Sequence, residues 1–173
     1  MTPVQSSLCR VLFLCTGNYY RSRFAEALFN AFAREQGLHW EASSRGLAIE
    51  LGIHNVGPIS AHAVQKLESI GIGIDTDVRF PLQVCEADLA QSDLIVALNE
   101  SEHRPLLARR YPLWLDRVEY WHIDDLDAAL PEDALARVER EVKSLVEHLS
   151  RNDHESLCRA SKAGSHETVD NKE

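Results

Sequence analysis

The chain has 173 residues, 45% hydrophobic and 26% charged, the profile of one soluble globular domain long enough to bury a core. Its 27 acidic against 18 Lys and Arg side chains leave a formal net charge of −9, which speaks against a nucleic-acid-binding face. No apolar run approaches the ~20 residues that span a bilayer. The start, MTPVQSSLCR, lacks the basic-then-apolar pattern of a signal peptide, so a cytoplasmic protein with no membrane partner is expected.

Residues 1–8 read as a flexible N-terminus. Cys9 to Cys15 is a nearly continuous apolar run, which predicts a strand buried on both faces. From Arg21 the period changes. Phe24, Leu28 and Phe32 recur at i+4 with Ala25 and Ala31 alongside, predicting an amphipathic helix that stops at Gly37. Residues 40–44 predict a second strand and 46–58 a long loop. Ser60 is the expected cap of a helix carrying Val64, Leu67 and Ile70 and ending at Gly71. After an irregular stretch over 72–85, a short helical turn at 86–91 leads to a third strand, Asp93–Leu98. Residues 100–110 read as helix and 118–121 as a fourth strand. The last helix starts near Pro131, with Leu135, Val138, Val142, Leu145 and Leu149 on one stripe. Strands alternating with helices predict a parallel α/β sheet covered on both faces. The domain therefore runs from 9 to 149, and the polar, aperiodic residues 150–173 read as a disordered tail.

Cysteines 9, 15, 85 and 158 show neither CxxC nor Cys/His metal spacing. Cys9 and Cys15, at opposite ends of a strand, lie about 20 Å apart. A disulfide needs Cα atoms within about 7 Å, and reduced thiols suit a reducing compartment. Arg104, Arg109 and Arg110 read as a solvated helix face. Histidines 54, 62, 103, 148, 154 and 166 have no ligand spacing and read as surface residues.

The segment Cys15-Thr16-Gly17-Asn18-Tyr19-Tyr20-Arg21-Ser22 carries the chemistry. In open α/β sheets ligands bind beyond the carboxyl ends of the strands. A loop between a strand end and a helix start can turn its N–H groups inward and make an anion seat. Gly17 allows close approach or an unusual φ, and Asn18 tolerates the left-handed conformation such a curl needs. Arg21 offers a planar fork for two phosphate oxygens. The same field is expected to lower the Cys15 thiol from ~8.5 to roughly 3.5–7.5, giving a thiolate aimed at phosphorus. Ser22 is placed to donate a hydrogen bond to the sulfur.

These residues resemble the low-molecular-weight protein tyrosine phosphatases. The likeness starts with VLFLCTGNYYRSRFAEALF and continues through SRGL (44–47), GPISAHAVQKLESIGI and SDLIVALNESEH, covering about residues 9–149. It implies a three-layer, four-stranded parallel sheet of Rossmann-like type, a phosphocysteine intermediate, and neither metal nor cofactor. Cys15 would be the nucleophile and Arg21 the transition-state clamp. Thr16, Gly17, Asn18, Tyr19, Tyr20 and Ser22 would bind or support the phosphate, and the partner would be a phosphorylated protein or a small aryl phosphate. The family's leaving-group acid sits in an Asp-Pro-Tyr motif, where this chain has Trp121-His122-Ile123-Asp124-Asp125-Leu126. Register from the tryptophan matches Asp125 to the acid and Leu126 to the proline, with Asp124 and then His122 as alternatives. Tyr19, midway along the loop, is placed to stack on an aryl group. Tyr20 stands where many relatives carry a second cysteine. Three other readings remain: a non-catalytic phosphate-binding module, a protein-arginine phosphatase, whose branch carries a small threonine where Tyr19 stands, and an arsenate reductase. The last would need two further cysteines after the third strand, where this chain reads IVALNESEHRPLL.

Overall fold

The computed structural model describes residues 8–75, 77–125 and 130–163, with side chains to Asn152. Four strands, β1 (Cys9–Cys15), β2 (Trp40–Gly46), β3 (Leu94–Ala97) and β4 (Glu119–Tyr120), pair in parallel in the order β2-β1-β3-β4. The helices are α1 (Arg21–Glu35), α2 (Ala61–Ser69), α3 (Glu86–Ala90), α4 (Glu100–Arg110) and α5 (Pro131–Ala163). The predicted parallel α/β sheet with helices on both faces is what forms.

The apolar run of β1 is continuous because the strand is buried twice. Side chains alternate across the sheet. Val11 and Phe13 enter a core shared with α1, α2 and α5, where Phe13 meets the rings of Phe29 and Trp121 at 6.0 and 5.8 Å. Leu12 and Leu14 enter a second core with Leu89, Leu107 and Val118. Fully burying a Leu or Phe is worth roughly 1.5–3 kcal/mol each, so this pattern fixes the register of the central strand. Consecutive strands depart from β1 in opposite directions, to β2 on one side and β3 on the other, which opens a crevice at the carboxyl end of β1. Cys15 ends that strand, paired with Gly46.

Several expectations change in detail. In α1 the buried stripe uses Phe29 and Ala33 alongside Phe24, Ala25 and Leu28, whereas Phe32 is only half-buried. The helix stops where Gly37 takes φ 65°, and α2 where Gly71 takes φ 79°. Ser60 stands at the N-cap of α2, but its side chain makes no cap bond. It is buried, and its N–H donates to the Tyr19 carbonyl, so it joins α2 to the cysteine loop. Short 3₁₀ turns at Ile49–Gly52 and Pro112–Arg117 lie where a loop and no element were expected. The fourth strand is only two residues long and borders β3 at Val96 and Ala97. The α5 stripe of Leu135, Val138, Val142, Leu145 and Leu149 is buried as expected. Its backbone helix then continues past Ser150 to Ala163. An apolar stripe marks where a helix is packed, not where it ends, and the sequence offers no Gly or Pro stop between Ser150 and Gly164. Residues 1–7 and 164–173 lie outside the described residues. Among the described residues no helix is long and apolar enough to cross a membrane.

Candidate active site

Residues 16–20 curl from the end of β1 into the start of α1. Asn18 has φ 50°, the one non-glycine residue at positive φ among those described. Its side chain makes that conformation stable. Nδ2 donates to Ser22 Oγ at 3.0 Å and Ser44 Oγ at 2.9 Å, and Oδ1 accepts from Arg79 Nη1 at 3.0 Å and the Leu82 N–H at 3.1 Å. The Asn18 amide is thereby fully used, and its two outside donors fix which end is oxygen. Gly17 does not take the unusual φ; Asn18 does.

The curl leaves its amides uncommitted. Among the described residues, the N–H groups of Gly17, Asn18, Tyr19 and Tyr20 donate to no protein acceptor. The N-cap of α1, Tyr20, supplies no side-chain cap either, so the first N–H groups of the helix join them. Orphan donors at a helix N-terminus form an anion seat.

Cys15 is buried, with Sγ 2.9 Å from Ser22 Oγ. Because Ser22 Oγ already accepts from Asn18 Nδ2, its own proton is left for the sulfur. Arg21 is 1% exposed. Its Nη1 donates to Glu102 Oε2 at 2.9 Å and to the Ile123 carbonyl at 2.9 Å, and its Nη2 to Glu102 Oε1 and Asp125 Oδ2, both at 2.8 Å. Burial alone would lower the guanidinium pKa; the hydrogen bond and charge of Glu102, with the charges of Cys15 and Asp125, outweigh it and raise the pKa. Cys15, Thr16, Gly17, Tyr19, Tyr20, Arg21 and Asp125 line one cleft of about 240 Å³, closed on its other side by Leu51, Gly52 and Asn55.

Of the alternative acids, Asp125 reaches the cleft. Asp124 is exposed and accepts from Asn99 Nδ2 at 3.2 Å, while His122 is 70% exposed beside Glu100. Leu126 lies outside the described residues. Tyr19 is half-buried, with its hydroxyl donating to the Val56 carbonyl. Tyr20 touches the cleft but packs into the core, and its hydroxyl donates to the Pro131 carbonyl at the start of α5. Burial and the Asp125 charge push its phenol up to about 12, against the opposing charge of Arg21. Leu51, on the cleft wall, is 68% exposed and presents apolar surface there. Among the described residues no group of three His, Cys, Asp or Glu is arranged to hold a metal ion.

Sequence reasoning missed four participants: Ser44, Arg79, Asn99 and Glu102. It also misplaced His103, which is fully buried rather than on the surface. Asn99, Glu102 and His103 lie just beyond β3, at the edge of the sheet where Cys15 lies. A polar cluster after a buried strand was the available signal. Gly46 is a further constraint. A Cβ there would sit 2.5 Å from Ile49 Cγ2 and 2.9 Å from the Thr16 carbonyl oxygen. Gly46→Ala is therefore expected to cost about 1–3 kcal/mol in urea unfolding and to lower turnover by disturbing Thr16. Unchanged stability would show that the loop yields freely.

The fold and cleft define a class: a parallel α/β protein that presents a cysteine and an arginine around an anion seat. Within it, the chain belongs to the family described as low molecular weight phosphotyrosine protein phosphatase, whose family model matches residues 10–155. The protein-arginine-phosphatase of Bacillus subtilis (strain 168) is 32% identical over 108 residues, 62% of this chain and 67% of that protein. An arsenate reductase of Staphylococcus epidermidis is 28% identical over 139 residues, 79% of this chain and 92% of that protein. Among solved structures, a low molecular weight protein tyrosine phosphatase from T. tengcongensis matches with TM-score 0.67 and 29% identity, covering 81% of this chain and 99% of its own.

Proposed function

We propose that the chain hydrolyses phosphotyrosine in proteins, or small aryl phosphates, through a phosphocysteine intermediate. The observation that carries this reading is the convergence of uncommitted loop amides, the Cys15 sulfur, Arg21 and Asp125 on one cleft. The amides and the guanidinium hold the phosphoryl oxygens while the Cys15 thiolate attacks phosphorus from the opposite side to the leaving oxygen. As the P–S bond forms and the P–O bond breaks, Asp125 gives its proton to the departing phenolate. Asp125 then takes a proton from the water that attacks phosphocysteine, the P–S bond breaks, and the Ser22 hydroxyl steadies the returning thiolate. Asp125 sits on Arg21 at 2.8 Å, so a phosphate entering the clamp displaces it.

Aryl substrates are favoured because Tyr19 and the exposed Leu51 flank the mouth with aromatic and aliphatic surface. The likeness to a protein-arginine-phosphatase keeps phosphoarginine as the second reading. The deciding measurement is kcat/KM on two peptides of one sequence carrying phosphotyrosine or phosphoarginine. Phosphotyrosine is expected to win by about 10-fold or more. The reverse ranking would transfer the assignment to phosphoarginine, and no turnover of either, nor of p-nitrophenyl phosphate, would leave a phosphate-binding module. Arsenate reduction lacks support in the cleft, since neither Cys9 nor Cys85 lines it.

A further inference from the structure

The reaction above uses Arg21 but leaves unexplained what aims it. Both oxygens of Glu102, on the first turn of α4, lie against the terminal edge of the Arg21 guanidinium. Glu102 Oε1 also accepts from the Thr16 hydroxyl. One carboxylate therefore grips both ends of the phosphate loop, the residue after Cys15 and the arginine that opens α1. With the terminal edge taken and Nη1 further bound to the Ile123 carbonyl, the edge left for an oxyanion is the lateral one, Nε with the second proton of Nη2. Asp125 reaches that second Nη2 proton.

Glu102 is itself held. Its own N–H donates to Asn99 Oδ1 at 3.2 Å. Behind it lies His103, 0% exposed, whose Nδ1 accepts from the Asn99 N–H at 3.0 Å. A neutral ring with an accepting Nδ1 carries its proton on Nε2. That Nε2 has no hydrogen-bond partner and lies 3.5 Å from Glu102 Oε1. Burial keeps the imidazole pKa low despite the nearby carboxylate, so the ring is neutral and offers its N–H towards Glu102. For Glu102, burial would raise the carboxyl pKa. The facing His103 N–H, the hydrogen bonds from Arg21 and Thr16 and the charge on Arg21 overcome this and hold it well below the ordinary carboxylate range. At 3.5 Å the histidine contact is long, and the Arg21 contacts bear more of the load.

We propose that Glu102 and His103 are positioning residues for the phosphate clamp: Glu102 fixes the guanidinium of Arg21 so that its lateral edge faces the oxyanion, and His103 fixes Glu102. The proposal rests on the reading of Arg21 as the clamp. A carboxylate in this place also reduces the positive field that attracts phosphate, so two effects oppose each other. Directional stabilisation of the transition state by a fixed fork outweighs the lost attraction, because a preorganised donor acts where charge develops.

The test is a double-mutant cycle on p-nitrophenyl phosphate. Glu102→Gln alone is expected to lower kcat/KM by about 10- to 100-fold. In the Arg21→Lys background the same change is expected to lower it less than about twofold, because a cation without a fork has no edge to aim. An equal loss in both backgrounds would mean a merely structural carboxylate and would overturn the proposal, as would a rise in kcat/KM for Glu102→Gln. If Glu102→Gln fails to fold, His103→Gln takes its place in the cycle. It is expected to lower kcat/KM several-fold with Arg21 present and not in the Arg21→Lys background; equal effects again overturn the proposal. If Arg21→Lys alone leaves kcat/KM unchanged, it is the clamp reading that fails.

Discussion

Cys15→Ser is expected to lower turnover of p-nitrophenyl phosphate by about 10⁴-fold or more, while inorganic phosphate still binds. Serine places an oxygen near the position of the sulfur, but a hydroxyl has no base to ionise it here. The nearest partner, Ser22 Oγ, is itself a hydroxyl and far too weak a base to take its proton. On the proposed mechanism the nucleophile is lost, and with it the P–S bond on which both chemical steps depend. The seat survives, because the uncommitted amides belong to the backbone and Arg21 keeps Glu102. Calorimetric phosphate affinity should therefore be retained. Appreciable turnover by Cys15→Ser would move the nucleophile to another atom and undo the mechanism. Loss of phosphate binding would show that the sulfur, and not the amides, holds the loop in shape.

The parts of this site that the sequence revealed are those whose constraint is local. Cys15, Asn18, Arg21 and Ser22 lie within one strand end, one turn and one helix start, and their spacing alone implies the curl. The left-handed Asn18 was legible because few residues tolerate it. Gly46 appeared only as part of a motif, since what forbids a side chain there is Ile49 and the Thr16 carbonyl of the cysteine loop. Arg79 was hidden in an irregular stretch, yet it donates to Asn18, Ser44 and Glu26 and fastens the loop from behind. His103 was misread because a lone histidine on an exposed-looking helix carries no sign of the strand packed against it. Glu102 was invisible for the same reason. Its partners are 81 and 86 positions away in the chain, and only the parallel pairing of β3 beside β1 brings them together.

Asp125→Asn is expected to separate two kinetic quantities. On the proposed mechanism the ratio kcat/KM reports events up to departure of the leaving group, and kcat also includes hydrolysis of phosphocysteine. For phenyl phosphate or phosphotyrosine, whose leaving oxygen needs a proton, kcat/KM should fall by about 10²- to 10⁴-fold. For p-nitrophenyl phosphate, whose phenolate departs readily, it should fall far less. Yet kcat should drop for both, because the proposed mechanism also makes Asp125 the base for the attacking water, and a burst of p-nitrophenol should accompany the stalled second step. Phosphate affinity is expected to rise a few-fold, since an amide no longer competes as an ion pair for the lateral edge of Arg21. Asp124→Asn should change each quantity less than about threefold, because that carboxylate is solvent-exposed and turned to Asn99. The opposite ranking of the two variants would show that the loop carrying both acids rearranges when substrate binds and delivers Asp124. An equal loss of kcat/KM on good and poor leaving groups would show that Asp125 acts through Arg21 and not on the departing oxygen.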